Sequence, residues 1–142
     1  MALWHKLRRA TAEERALALE ALGLLVGARL ALWLLPFAPA RRLFDAYARR
    51  PAAPRSAERL AWAIAAAGRR VPAPFRDCLP QALAAEVMLR RHGVPAELVI
   101  GARPGQGGGR LEAHAWVVSG GQVIVGWLED LPSFVPLGST PP

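Results

Sequence analysis

Pro80 restricts the fold of this chain more than any other single residue. It stands inside a stretch with helical periodicity, CLPQALAAEVMLRRHG over residues 78–93. A helix accepts proline in its first turn, where the missing amide hydrogen would have had no partner, and breaks around it elsewhere. The helix must therefore open at or next to Cys78, which is the only cysteine in the sequence. Leu83, Val87 and Met88 give the helix one apolar face, and Gly93 closes it.

The rest of the chain divides on similar signals. Thr11 and Glu14 form a capping box and Pro36 limits the far end, which predicts one helix over residues 12–34. Glu20 and Arg29 interrupt its apolar content, and its longest uncharged run, residues 21–28, falls short of the roughly 20 residues of a membrane span. No cleavage site follows a short apolar core. This helix is expected to be buried or interface-facing, with a membrane-surface helix as the alternative. Gly23 and Gly27, four apart, permit close helix packing. A second helix is expected over residues 41–49, and a third is capped by Ser56 and reads AERLAWAIAAAGRR. VPAPF then forms an extended lead-in to the cysteine helix. After that helix come three strand signals, over residues 96–102, 114–118 and 122–127, the last two joined as a hairpin at Ser119, Gly120 and Gly121. PGQGGGR reads as a flexible loop, and EDLPSFVPLGSTPP as irregular with a fraying end. The fold class is α+β: helices first, then a helix carrying the cysteine, packed on a small antiparallel sheet. The expected organisation is an N-terminal helical region, residues 1–74, and a core over residues 75–142.

Charge follows the same division. Residues 1–74 hold 13 Lys and Arg against 5 Asp and Glu, or +8, whereas residues 75–142 hold 5 against 6, or −1. The basic half suits an acidic protein partner or an anionic membrane surface. No nucleic-acid motif accompanies it, so nucleic acid is not an expected partner. A lone cysteine excludes an internal disulfide and suits a reducing cytoplasm. One Cys and three scattered His make no metal site, and the glycine loop lacks the Lys-Ser/Thr ending of a phosphate-binding loop, so no metal and no cofactor is expected.

Chemistry concentrates at Cys78 and His114, 36 residues apart. A helix N-terminus favours the thiolate and offers amide donors to a developing oxyanion. A strand-borne imidazole would act first as base and then as acid to a leaving amine. His92, at a helix C-terminus beside Arg90 and Arg91, reads as structural, and His5 lies in a basic tail. Asp77 reads as a helix cap, and Glu112 as a neighbour of His114 on one strand face. Asp130 is the chosen third member, because such a group commonly follows the adjacent strand; Glu129, a backbone carbonyl or a water are the alternatives.

These residues resemble a known family. CLPQALAAEVMLRRHGVPAELVIGARP followed by AHAWVVSGGQVIVG is similar to the transglutaminase-like protease of lasso-peptide biosynthesis, over residues 76–137. That family carries a Cys-Leu pair opening a helix that ends Leu-Arg-Arg-x-Gly, then a Leu-Val-Ile-Gly strand and Ala-His-Ala-Trp-Val. The resemblance implies a leader peptidase acting on a ribosomally made precursor, with Cys78 as nucleophile and His114 as acid–base. It implies the split form, with two partners: a separate winged-helix leader-recognition protein (RRE-type), and a lasso cyclase that closes the macrolactam. The N-terminal helices would receive those partners, in the cytoplasm or against a membrane. Many family members end the strand after the His motif in Asn-Asp, and here Gly126 stands at the Asp position. The rival readings are another acyl-transfer enzyme or amidohydrolase on the same residues, and a non-catalytic membrane-associated scaffold.

Overall fold

The computed structural model describes residues 11–73, 77–105 and 110–139. The basic tail with His5, the end of the VPAPF lead-in together with Arg76 (residues 74–76), the glycine loop at residues 106–109 and the last three residues lie outside these. Four helices come first: α1 (Ala12–Leu34), α2 (Phe37–Ala48), α3 (Ala57–Gly68) and α4 (Cys78–Arg91). Strands β1 (Glu97–Pro104), β2 (Leu111–Ser119), β3 (Gln122–Val125) and β4 (Val135–Ser139) follow, with a short 3-10 turn at Leu131–Ser133. The sheet is antiparallel in the order β3-β2-β1-β4. The expected α+β architecture is what the chain adopts.

The caps fall where the sequence places them. Thr11 Oγ1 accepts the Glu14 amide at 3.1 Å and Ser56 Oγ the Arg59 amide at 3.3 Å. Helix α2 starts four residues earlier than expected, at Phe37, because Pro39 still falls within its first turn. Gly120 and Gly121 both hold positive φ, as a two-residue hairpin turn requires. Strand β4, which the irregular reading of the C-terminal segment missed, pairs with β1 and completes the sheet.

Helix α4 is the centre of the fold. Every residue of it from Pro80 to Leu89 except Gln81 is buried. Around it pack the inner stripe of α1 (Leu17, Ala21, Leu24, Leu25, Ala28, Ala31), Phe44 of α2, and Leu60 and Ile64 of α3. From the sheet come Leu98, Ala115, Val117 and Val125. Helices before residue 74 and strands after it therefore share one core. Val99, Trp116 and Phe134 form a second, smaller cluster. Alternation along β1 and β2 assigns it to the opposite face of the sheet. By length and composition alone α1 is long and apolar enough to cross a membrane, against the expectation from its uncharged run, and 22% of its most apolar stretch is buried here.

Glu86 is wholly buried on α4 and explains how a charge survives there. It pairs with Arg41 of α2, lies 3.4 Å from Arg90, and accepts the Leu98 amide of β1 at 2.5 Å. His92 is also a strut rather than a reactive group. Its ring nitrogens meet the Ala53 carbonyl at 2.6 Å and the Glu20 carboxylate at 2.8 Å.

Candidate active site

Cys78 is the first residue of α4 and is partly buried against the larger core cluster. Asp77 occupies the N-cap with extended backbone (φ −61°, ψ 159°), yet its side chain makes no hydrogen bond into the first turn. Pro80 has no amide hydrogen, and the Gln81 amide bonds to the Asp77 carbonyl at 3.0 Å. The amides of Cys78 and Leu79 are thus left without a side-chain cap among the described residues. They are the donors such a helix mouth can offer to an oxyanion.

The Glu86–Leu98 bond ties the middle of α4 to the start of β1. A short turn joins α4 to β1, so the two run in opposite directions. Cys78 lies eight residues before Glu86 (86 − 78), about 12 Å along the axis at ~1.5 Å per residue. Strand β1 covers that distance in between three and four residues, at ~3.3 Å each. Further along β1, Gly101 and Ala102 pair with His114 and Ala113 of β2.

His114 is partly buried and lies on the sheet face of Trp116 and Phe134, with ring centroids 6.0 Å and 5.7 Å away. Its Nε2 donates to the Gly126 carbonyl at 2.7 Å. A carbonyl only accepts, so in the neutral ring the proton sits on Nε2 and Nδ1 keeps its lone pair. No hydrogen bond joins Nδ1 to the Cys78 thiol among the described residues. Cys78 packs with the core on the face that α4 covers, whereas His114 lies on the other face with Trp116 and Phe134, and the bond that a Cys–His pair uses is not formed.

Gly126 could not be another residue without displacement. Its φ is +90°, and a Cβ there would lie 2.8 Å from the Ala115 carbonyl oxygen and 2.9 Å from Trp116 Cβ. At the position where the resemblance leads one to expect Asp, the residue that reaches the imidazole does so through its main chain. Gly101, opposite His114, is constrained in a different way: the Trp116 ring lies over it, 2.7 Å from where its Cβ would be.

Asp130 lies behind this arrangement. Its carboxylate takes the Arg103 guanidinium at 2.5 Å, and Arg103 also bonds Ser133 Oγ at 2.7 Å and Glu112 at 2.9 Å. The guanidinium stacks on Phe134, 4.4 Å from its centroid, and Phe134 in turn flanks His114. The Arg103 hydrogen bond is the main cause that holds the Asp130 carboxyl below its ordinary range, with the charge of His114 the last of the contributions. Arg103 is itself raised, by Asp130 first and Glu112 second. Of the sequence candidates, Asp130 and Glu112 are thus joined through Arg103 and not by a bond to the imidazole; Glu129 makes no hydrogen bond among the described residues. Sequence reasoning missed Arg103 and Phe134. An Arg at the end of a strand whose partner strand carries Glu112 and His114 was the available signal.

The profile of the transglutaminase-like superfamily matches residues 22–139. Searches against curated proteins and against solved structures return no match.

Proposed function

The chain belongs to the transglutaminase-like superfamily, a grouping of cysteine proteases and acyltransferases, and on that footing we propose that it is a cysteine peptidase. Its substrate is the precursor of a lasso peptide, and its product is the core peptide with a free N-terminus. The observation that carries the reading is the His114 Nε2 bond to the Gly126 carbonyl, which reserves Nδ1 for proton traffic.

Chemistry then proceeds in two halves. Nδ1 takes the Cys78 proton as sulfur attacks the carbonyl at the leader–core junction, and the amides of Cys78 and Leu79 receive the oxyanion. The C–N bond breaks, imidazolium returns its proton to the departing core amine, and a thioester to the leader remains. Water, deprotonated by His114, cleaves the thioester and releases the leader carboxylate and the thiol. No cofactor enters any step. In this reading Gly126 orients the imidazole, and Asp130 acts through Arg103 and Phe134 on the wall beside it. The leader is presented by a separate winged-helix recognition protein, and the new amine goes to a cyclase; both dock on the N-terminal helices.

The test is mass spectrometry of a lasso precursor incubated with this protein and the leader-recognition protein. A single cut at the leader–core boundary, lost in Cys78→Ala and His114→Ala, is the expected result. Uncut precursor in the presence of a functional recognition protein would reject the substrate and leave acyl transfer to another amide. Cleavage that survives Cys78→Ala would reject the nucleophile.

A further inference from the structure

We propose that the outer edge of β2 at residues 111–113 is the docking strand for substrate: the extended precursor segment beside the cut adds there as a further strand and is delivered to His114. The inference rests on the peptidase reading for the identity of the peptide, and on the sheet for the place.

Strand β2 pairs with β1 along its whole length, from Val118 with Glu97 to Leu111 with Pro104. On its other side β3 reaches only Val117, Val118 and Ser119. Among the described residues no strand covers that side from Leu111 to His114. The backbone parity of the open stretch follows from Gly126, which lies against the Ala115 carbonyl oxygen on the β3 side. Amide and carbonyl of one residue point to the same edge of an antiparallel strand, and successive residues point to opposite edges. The main-chain groups of Ala113 and Leu111 therefore face the open edge, as those of Ala115 do, while those of Glu112 and His114 face β1.

Residues 111–113 are all exposed, and Leu111 is 75% so. Folded proteins guard free edges with proline, lysine or bulges, and this stretch carries none. Glu112, the one charge, is bound to Arg103. Just after Gly126 the chain exposes two apolar side chains, Trp127 (65%) and Leu128. A strand laid in this slot runs beside His114. Main-chain pairing would hold a precursor of varied sequence, with side-chain contacts to Trp127 and Leu111 adding preference.

The test is an N-methyl scan through a synthetic junction peptide of a lasso precursor, one amide at a time, using the full chain with its recognition protein. Methylation at every second residue on one side of the cut should lower kcat/KM about tenfold, and methylation between those positions should leave it within about twofold. Ala113→Pro, which removes an outward amide and spares the β1 ladder, should raise KM about tenfold at an unchanged melting temperature. Cleavage with a uniform or flat scan overturns the edge and leaves the peptidase reading intact. If the unmethylated peptide stays uncut, the scan is read as affinity for the Cys78→Ala protein by fluorescence anisotropy. Alternation there upholds the edge and rejects the peptidase reading, and absence of binding overturns both.

Discussion

Gly126→Ala separates two costs that the structure assigns to one residue. Gly121 serves as the reference, since it too has positive φ, +78°, but nothing stands within 4 Å of its absent Cβ. Alanine at Gly121 meets only the backbone penalty of the left-handed region, about 1–2 kcal/mol. Alanine at Gly126 meets the same penalty and two contacts below 3.0 Å with the Ala115 carbonyl and Trp116. Relieving them needs about half an ångström of backbone movement, at a further cost of about 1–3 kcal/mol. With roughly 3 °C of melting temperature per kcal/mol for a domain of this size, Gly121→Ala should lose about 3–6 °C and Gly126→Ala about 6–15 °C. The carbonyl that holds His114 must shift with the backbone. Turnover of Gly126→Ala, measured well below its melting point, should fall about a hundredfold or more, whereas Gly121→Ala should stay within about twofold. Equal melting shifts would refute the close-approach argument. Unchanged turnover in Gly126→Ala would refute the role of the carbonyl.

Three further outcomes follow from the same contacts. Glu86→Gln leaves Arg41 and Arg90 facing a neutral group in the core and should cost about 3–5 kcal/mol, seen as a lower denaturation midpoint. Gly101→Ala should push the Trp116 ring off β1, changing tryptophan near-ultraviolet dichroism and lowering turnover about tenfold through the displaced wall of His114. Asp130→Asn should lower turnover less than about tenfold, since the imidazole is held by Gly126. In the native protein the Asp130 carboxyl titrates below its ordinary value, so its pairing with Arg103 is present above that value and is lost as pH falls through the depressed one. Carboxyl NMR showing an ordinary midpoint for Asp130 would contradict the pairing.

Local chemistry made much of this fold readable. Thr11, Ser56 and Pro80 each fix a helix start by hydrogen-bond accounting within four residues, and Gly120 with Gly121 fixes the hairpin. Strand β4 escaped because VPLGS carries Pro136 and Gly138, residues that weaken a strand signal yet are tolerated at a sheet edge. Glu86 and Arg90, four apart, look like a solvent-facing helix pair until α2 and β1 close over them. Cys78 and His114 stand out by residue type. The group that meets His114 is a main-chain oxygen, which no side-chain pattern encodes, and a strained φ at Gly126 becomes visible only once its neighbours are placed.

That oxygen has a consequence for how the imidazole would respond to its surroundings. A carboxylate in the same place would gain a proton in acid and could be edited by a single side-chain exchange. The Gly126 carbonyl does neither, so its grip on the imidazole is constant across the pH scale and hidden from conventional alanine scanning of charged residues. Any loss of turnover in acid should then arise from groups other than the one that orients the imidazole.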